Sequence, residues 1–572
     1  MKRKTQPDVP INEGKRREII ISVCLILVIT FISFLPSLKN DFINWDDNEY
    51  VTENIMITDL SWENIKAIFS HFYMGHYHPL TLLSYSIEFE FHKLNPLIYH
   101  TTNLLLHLFN TLLVFWLIFM LKGGILTSLW VALLFGIHPL HVESVAWVSE
   151  RKDLLYSFFF LESTICYFYY RKTQRMNYYY LSIFLFILSL LSKSMAVTLP
   201  FILLIHDYLL DRKSDKKTLV EKIPFLLFAL AFGIVALFAK ASVGKISQES
   251  SVAFFENLLT VSDILRSYLS KLILPNKLSC LYPLIKLGTY SWLYLLAMAT
   301  ILIGGIILSR YNKKIIFGLL FFFITILPVL PVKIAADRYT YIPYIGLFYI
   351  VGEGFSWLYH MKIEKAKIVK TSLLILFIAI IGTFSFLTWE RCKVWKDSIS
   401  LWTDVLKHYP DILIAHIDRG AAFLNKREFD KAISDYNHAL DMNPNNEKAS
   451  SIYNNRGNAY AGKGLYDDAI SDFTRALTIN SKYELAYSNR GNTYLIRGQY
   501  HQALEDFNKA LEINPRYVEV YFNKALVLEQ MGRIREAKEA YQRFVQDAPP
   551  QYAKHIHHAR KKIKQLSLQN PE

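Results

Sequence analysis

The sequence predicts an all-α protein: a membrane domain of about eleven transmembrane helices followed by an α-solenoid of repeated helix pairs. The first reason is composition, because 52% of the 572 residues are hydrophobic and 15% are aromatic, which is far too apolar for a purely soluble protein. The second is hydropathy, because eleven windows before residue 388 are long and apolar enough to cross a bilayer. The third is a period of about 34 residues after residue 412.

The first apolar run follows a basic N-terminus, "MKRKTQPDVPINEGKRRE". The run is too long for the hydrophobic region of a signal peptide and has no small-residue cleavage site, so we interpret it as a retained transmembrane helix. The candidate spans lie at residues 19–37, 100–120, 124–143, 154–170, 177–192, 195–211, 223–240, 290–309, 314–332, 341–358 and 369–388. The fifth and sixth are short and could instead form a re-entrant pair.

The loops between the spans indicate the topology. With the N-terminus inside, every loop assigned to the cytoplasm carries Lys or Arg, as the positive-inside rule requires: "MLKGG", "RKTQR", "DRKSDKKTLVEK", "SRYNKK" and "HMKIEKAKIVK". The net charge of +14 therefore has a topological explanation, and we expect no nucleic-acid partner. Two long outer loops, 38–99 and 241–289, contain amphipathic patterns typical of helices on the membrane surface.

The polar C-terminal region is repetitive. Small residues recur at equivalent positions, Gly420, Gly457, Gly491 and Ala525, at intervals of 37, 34 and 34 residues. This spacing, with "NRGNAY" and "NRGNTY" opening two of the units, is the tetratricopeptide signature, and such arrays form grooves suited to extended peptides. The same topology places the repeats outside. The expected domains are a cytoplasmic N-terminus (1–18), a transmembrane domain (19–388), a linker or degenerate repeat (389–411) and the repeat domain (412–572).

Two adjacent carboxylates, Asp46 and Asp47, lie in the loop "NDFINWDDNEYVTEN" directly after the first span. A solvated loop that caps a short helix would also explain them. Other polar groups cluster where later spans end on the same predicted face: His78, His138, His141, Glu143, Arg151, Lys152, Asp153, Lys193 and Arg338. An interfacial belt with snorkelling cations is the structural alternative. Cations beside carboxylates at one membrane surface are also what binding a lipid-linked phosphate next to a catalytic base requires.

Several other classes lack support in the sequence. The histidines do not show the i, i+4 spacing of a zinc helix, and the four cysteines form no CxxC pair, so we expect no metal. Nucleotide-binding and common hydrolase motifs are absent from the sequence. A transporter would carry ionisable groups near the bilayer midplane, whereas the charges here lie at the ends of the spans.

The motifs "WDD", "HPLTLLSYS", "HPLHVESVAWVSERKDLL", "LSKSMAVTLP", "DRYTYIP" and "RCKVWKDSISLW", followed by the repeats, resemble the transmembrane and tetratricopeptide-repeat-containing O-mannosyltransferases and their bacterial relatives. The resemblance covers almost the whole chain. It implies a GT-C glycosyltransferase that uses a polyprenyl-phosphate sugar as donor, with no cofactor. It also implies that one acid of the pair, by analogy Asp46, is the base while the other positions the acceptor.

The same resemblance implies that the donor phosphate binds Arg151, Lys152, Lys193 and Arg338. The residues that we expect to bind substrate or support the site are His78, His138, His141, Glu143, Asp153 and Tyr341. The chain departs from the animal proteins where "ERKDLLY" replaces "GRADLLA" and where Ser194 follows Lys193. The expected location is a bacterial plasma membrane. The alternatives are a non-catalytic scaffold that recruits partners through its repeats and a lipid or glycan transporter. The sequence names neither the sugar nor the acceptor.

Overall fold

The computed structural model describes residues 13–121, 123–212, 215–244, 254–283, 291–310, 312–332, 334–362, 366–442 and 448–569. Every regular element in these residues is helical, which confirms the all-α class, and the one β-contact is an isolated bridge between Tyr73 and His76. The chain divides into two compact units, Met1–His408 and Tyr409–Glu572. The predicted N-terminal segment up to residue 12, and residues 245–253 and 284–289 of the second outer loop, lie outside the described residues.

The first unit contains seventeen described α-helices. In chain order they are α1 Glu13–Phe34, α2 Trp62–Ser70, α3 Pro79–His92, α4 Pro96–Met120, α5 Gly124–Ile137, α6 Val142–Ala146, α7 Arg151–Thr173, α8 Met176–Ser192, α9 Leu199–Leu209, α10 Lys216–Val220, α11 Ile223–Ala241, α12 Phe254–Ile273, α13 Ser291–Ser309, α14 Lys313–Ile326, α15 Tyr344–His360, α16 Ala366–Val394 and α17 Ser398–His408.

Six described helical segments are long and apolar enough to cross a membrane: Glu13–Lys39, Pro96–Met120, Lys216–Ala241, Ser291–Leu308, Lys313–Leu330 and Ala366–Val394. A seventh candidate is bent by 50° where Gly124–Ile137 meets Pro139–Ala146. The count of eleven spans is therefore not confirmed. Four predicted spans coincide with α7, which carries charges at both ends, and with α8, α9 and α15, which have 17 residues or fewer.

Close helix contacts in the first unit depend on small residues. At the crossing of α14 and α15, a Cβ on Gly318 would lie 2.4 Å from the Gly346 carbonyl oxygen, and a Cβ on Gly346 would meet the Gly318 carbonyl equally closely. Such pairs let helix backbones approach where a bilayer provides no hydrophobic drive between helices. The packing of α4 on α5 and α7, and of α15 on α5, forms the core beside the segments that carry the predicted site residues.

The second unit is a stack of helix pairs: α18 Leu413–Asn425, α19 Phe429–Met442, α20 Ala449–Gly462, α21 Tyr466–Ile479, α22 Glu484–Ile496, α23 Tyr500–Ile513, α24 Val518–Gln530, α25 Ile534–Asp547 and a final helix, α26 Ala553–Gln569. The recurring glycines explain the period. A Cβ on Gly457 or Gly491 would lie 2.7 or 2.8 Å from the ring of Phe473 or Phe507 in the partner helix, so only glycine allows this approach. The 37-residue interval between the first two repeats predicts a three-residue insertion around "NEKASS", which lies partly outside the described residues.

Candidate active site

The loop after the first span, residues 40–54, is fixed to the end of α16 and to the first two turns of α17. The Asn40 side-chain amide donates to the Cys392 carbonyl at 3.1 Å, and the Asn44 backbone N–H donates to the Ser398 hydroxyl at 2.9 Å. The Trp402 indole N–H donates to the Asn44 side-chain oxygen at 2.8 Å. The motif "RCKVWKDSISLW" therefore supplies the platform on which this acidic loop rests.

Asp47 joins this loop to the turn before α7. Its carboxylate accepts hydrogen bonds from the Ser149 backbone N–H at 2.9 Å and the Ser149 hydroxyl at 2.5 Å. The other oxygen accepts from the Ile43 backbone N–H at 3.1 Å. Burial raises the pKa of Asp47 to about 6, although these hydrogen bonds favour the ionised form. Both oxygens of Asp47 are thus engaged inside the protein, which is the geometry of an acid that holds a loop in place.

Asp46 is in a different environment from its neighbour. The residue is partly exposed, whereas Asp47 is 1% exposed. Its backbone carbonyl accepts from the Tyr50 N–H at 2.9 Å, which closes a tight helical turn. Burial disfavours the charged form of Lys152, but the negative charges of Glu150 and Asp46 outweigh it and raise the pKa of Lys152. Asp46 is therefore an acid within electrostatic reach of a cation and accessible to a ligand.

Three of the predicted cations converge on one carboxylate. Lys152 Nζ lies 3.2 Å and Arg338 Nε 3.3 Å from Glu150 Oε1, while Lys193 Nζ lies 3.3 Å from Glu150 Oε2. We call Lys152, Lys193 and Arg338 the cation cluster. Their side chains keep 13–17% of their surface exposed, whereas Glu150 keeps 2%, so a ligand can reach the cations but not the acid between them. Although burial alone would raise it, the three cations hold the pKa of Glu150 well below its usual range.

Two further acids complete the ionic array. Asp153 accepts a hydrogen bond from Lys193 Nζ at 2.6 Å, and Glu143 pairs with the Arg338 guanidinium and accepts from its backbone N–H at 3.2 Å. Both carboxylates are buried. Asp153, Glu143 and Glu150 therefore hold the three cations in fixed positions.

The acidic loop and the cation cluster are in contact. Lys152 Nζ lies 4.8 Å from the centre of the Tyr50 ring, a cation–π arrangement, and Asp47 is bound to Ser149, the residue before Glu150. On another side, the Arg338 guanidinium lies 5.3 Å from the Trp147 ring. Residues far apart in the sequence thus form one site.

Arg151 does not join this cluster. Its side chain is fully buried and faces the other way, donating to Glu88 at 2.5 Å, to Asn103 at 2.8 Å and to the Tyr99 carbonyl at 3.0 Å. Its guanidinium also lies 4.7 Å from the Tyr85 ring. Arg151 therefore anchors the first turn of α7 in the protein interior and presents no donor to a phosphate.

The predicted histidines and Tyr341 lie beneath the site. His138 and His141 are fully buried among aromatic rings, and the Tyr341 hydroxyl lies 2.7 Å from His107 Nδ1. His78 is close to the acidic loop, with its ring 5.3 Å from that of Tyr50, and burial followed by the charge of Lys152 lowers its pKa well below the usual value. Across the part of the chain that the structure describes, no three His, Cys, Asp or Glu side chains are grouped to hold a metal.

Glu150 is the site residue that sequence reasoning missed, together with Ser149. Both lie within the motif "VSERKDLL", in which four charged residues follow one another, so the signal was present in the sequence. Consecutive residues at a helix start point in different directions, and only the fold shows that Glu150 and Lys152 face the site while Arg151 faces the core.

Comparison with known proteins supports both halves of the expected organisation. Profiles described as "Tetratricopeptide repeat" match residues 395–447, 450–483, 485–517 and 507–539, so the C-terminal region consists of these repeats. The "Protein O-mannosyl-transferase F38B6.6" of Caenorhabditis elegans is 24% identical over 471 residues, covering 76% of this chain and 65% of that protein. "Protein O-mannosyl-transferase TMTC3" of Homo sapiens is 24% identical over 419 residues, covering 64% of this chain and 45% of that protein.

A shorter match reaches higher identity. "Protein O-mannosyl-transferase tmtc2" of Xenopus laevis is 33% identical over 143 residues, covering 23% of this chain and 17% of that protein. The chain thus spans less than two thirds of the length of these relatives. The solved structure titled "Crystal structure of MamA" covers 30% of this chain and 90% of its own, with 21% identity and a TM-score of 0.23. The resemblance to the O-mannosyltransferases that the motifs predict is confirmed.

Proposed function

We propose that this chain is an integral-membrane glycosyltransferase that transfers mannose or another hexose from a polyprenyl-phosphate donor to Ser or Thr hydroxyls of extracytoplasmic proteins. The observation that carries the proposal is the contact between the acidic loop and the cation cluster. Lys152 lies against the Tyr50 ring and within electrostatic reach of Asp46, and it shares Glu150 with Lys193 and Arg338. The confirmed relatives, which are named protein O-mannosyl-transferases, support the same reaction.

Asp46 is the base in this proposal. The acceptor hydroxyl oxygen forms a bond to the anomeric carbon, the bond from that carbon to the donor phosphate oxygen breaks, and the hydroxyl proton passes to the Asp46 carboxylate. Asp47 cannot take this role without giving up hydrogen bonds to Ser149 or Ile43. We assign Asp47 to positioning: it fixes the loop that presents Asp46.

The cation cluster stabilises the leaving group. A polyprenyl-phosphate sugar is a phosphodiester with one negative charge, and the polyprenyl phosphate that departs is a monoester that can carry two. Cations that contact this phosphate therefore bind the transition state more strongly than the donor, which is how electrostatic groups accelerate a reaction. Lys152, Lys193 and Arg338 are the proposed ligands. Arg151 is not among them because its donors are used in the core.

The repeats gather the acceptor in this proposal, and the enzyme works at the outer face of a plasma membrane with its N-terminus in the cytoplasm. Tetratricopeptide stacks are suited to binding extended peptides, and Ser and Thr residues in extended segments are accessible to a membrane-bound enzyme. The positive loops are the support for this orientation.

The test is transfer of radiolabelled mannose from polyprenyl-phosphate mannose to a Ser/Thr-rich peptide by membranes that contain the chain. We expect Asp46→Asn to lower the rate by a factor of about 10² to 10⁴, the usual contribution of a positioned base, with an unchanged melting temperature. Glu53→Gln, which alters an exposed acid of the same loop, is the matched control and should keep full activity. Full activity in Asp46→Asn would exclude this residue as the base. No transfer of any hexose by the unaltered chain would favour the scaffold.

A further inference from the structure

A second group of charged side chains surrounds the far end of α7. Lys152 lies in the first turn of this helix, whereas Arg171 lies in its last. At 1.5 Å per residue the two are about 30 Å apart along the axis, which is close to the thickness of the hydrocarbon core of a bilayer. The second group is therefore separated from the proposed active site by about one membrane thickness, and it takes no part in the proposed transfer.

Two buried acids hold this second group of charged side chains together as one ionic network. Asp207 pairs with Arg212 at 3.2 Å, with Arg171 at 3.3 Å and with Lys222, which is 1% exposed. Glu221 accepts from Arg212 Nη2 at 2.8 Å and from the Tyr170 hydroxyl at 3.0 Å. Three cations thus surround two carboxylates in a setting that is largely shielded from water.

A cavity of about 230 Å³ opens beside this network. Its lining includes Asp207 and Arg212 from the network, and Asp211 and Lys313 from an adjacent ion pair. Asp215, whose carboxylate accepts hydrogen bonds from the lining residue Thr218, lies within electrostatic reach of Arg212, so the four cations Arg171, Arg212, Lys222 and Lys313 face four acids. An anion that enters the cavity can contact the two cations of its wall, Arg212 and Lys313.

The depth of the cavity identifies the kind of anion. Two apolar segments of membrane-spanning length begin beside it, Lys216–Ala241 and Lys313–Leu330. The loops that precede them, "DRKSDKKTLVEK" and "SRYNKK", are those that the charge pattern places in the cytoplasm. Where apolar spans begin, the groups that border them in a bilayer are lipid headgroups, whose phosphates carry the matching charge.

We propose that this cavity binds the phosphate group of a membrane lipid, with Arg212 and Lys313 as its ligands. Arg212 lines the cavity, and its Nη1 and Nη2 atoms contact Asp207 and Glu221, which hold the guanidinium plane at the cavity wall. Lys313 approaches from α14, where its ammonium pairs with Asp211 and lies 5.0 Å from the Tyr208 ring. A bound headgroup joins α9, α10 and α14, which line the cavity, and stabilises their packing.

The test measures phosphatidylglycerol binding to the full-length protein in detergent by native mass spectrometry. We expect Arg212→Gln and Lys313→Gln each to weaken binding of the tightest lipid at least tenfold. Lys314→Gln is the matched control, because Lys314 is the next residue but pairs with Glu353 on α15 at 2.6 Å and does not line the cavity, so binding should stay within twofold.

Arg212→Gln removes one cation from Asp207 and a cation partner from Glu221, and it can prevent folding. Lys313→Gln keeps the proposal falsifiable, because Lys313 and its partner Asp211 are both substantially exposed. Equal lipid affinity in the Lys313→Gln variant, the Lys314→Gln variant and the unaltered protein would overturn the proposal. So would equal binding of diacylglycerol, which has no phosphate. Equal thermal protection by inorganic phosphate would overturn the assignment to a lipid.

Discussion

Replacing Asp47 by Asn should change the pH dependence of stability in a way that reveals how this carboxylate is held. In the native protein burial raises the pKa of Asp47 to about 6, compared with 3.8 for an unperturbed Asp. The native state therefore binds a proton between pH 4 and pH 6 that the unfolded state has released. Stability from this group is fully present below about pH 4 and is lost as the pH rises through 6.

The size of the effect follows from the shift and from the hydrogen bonds. A shift of about two pKa units corresponds to about 3 kcal/mol of stability lost between pH 4 and pH 7. Asn avoids this loss because it does not ionise. Its amide has a single oxygen, so when it accepts from Ser149 its N–H₂ group faces the Ile43 N–H, which leaves a buried donor unpaired at a cost of about 1–3 kcal/mol.

The cost of the unpaired Ile43 donor does not change with pH, whereas the stability that Asn saves by not ionising grows from pH 4 to pH 7. The variant should therefore be less stable than the unaltered protein at pH 4 and as stable or more stable at pH 7. The assay is the thermal midpoint of both purified proteins in detergent from pH 4 to pH 7.5. Asp41→Asn is the control, because Asp41 is an exposed acid in the same loop. A difference between Asp47→Asn and the unaltered protein that is constant with pH, or that grows with pH, would refute the reasoning.

Two further substitutions test how the cations are held. Glu150→Gln should raise the KM for the donor tenfold or more without changing the KM for the acceptor peptide, because one neutral amide cannot hold all three cations together. Unchanged donor kinetics would show that Glu150 does not position the cation cluster. Glu88→Gln should destabilise the protein by about 3 kcal/mol, since it leaves the charge of Arg151 buried without its partner, and an unchanged thermal midpoint would contradict the anchoring role of this pair.

Several features could be read from the sequence because they depend on local spacing. Apolar runs of membrane-spanning length predict transmembrane helices, and six of the predicted runs coincide with helices that are long and apolar enough to cross a membrane. The small residues Gly420, Gly457, Gly491 and Ala525, at intervals of 37, 34 and 34 residues, predict the repeats, and Gly457 and Gly491 each face an aromatic ring of the paired helix. The same local view leaves the number of spans unsettled, because α8, α9 and α15 have 17 residues or fewer and α7 carries charges at both ends.

The sequence by itself determined the helical class, the repeat period, and the presence of acids and cations near the ends of predicted spans. Only the tertiary structure decided which of these charges meet. Arg151 and Lys152 are adjacent in the chain, yet Arg151 pairs with Glu88 in the core, whereas Lys152 contacts the ring of Tyr50 in the acidic loop. The physical reason is that helix geometry sends adjacent side chains in different directions, whereas electrostatic partners such as Glu150 and Arg338 are brought together by packing of distant segments.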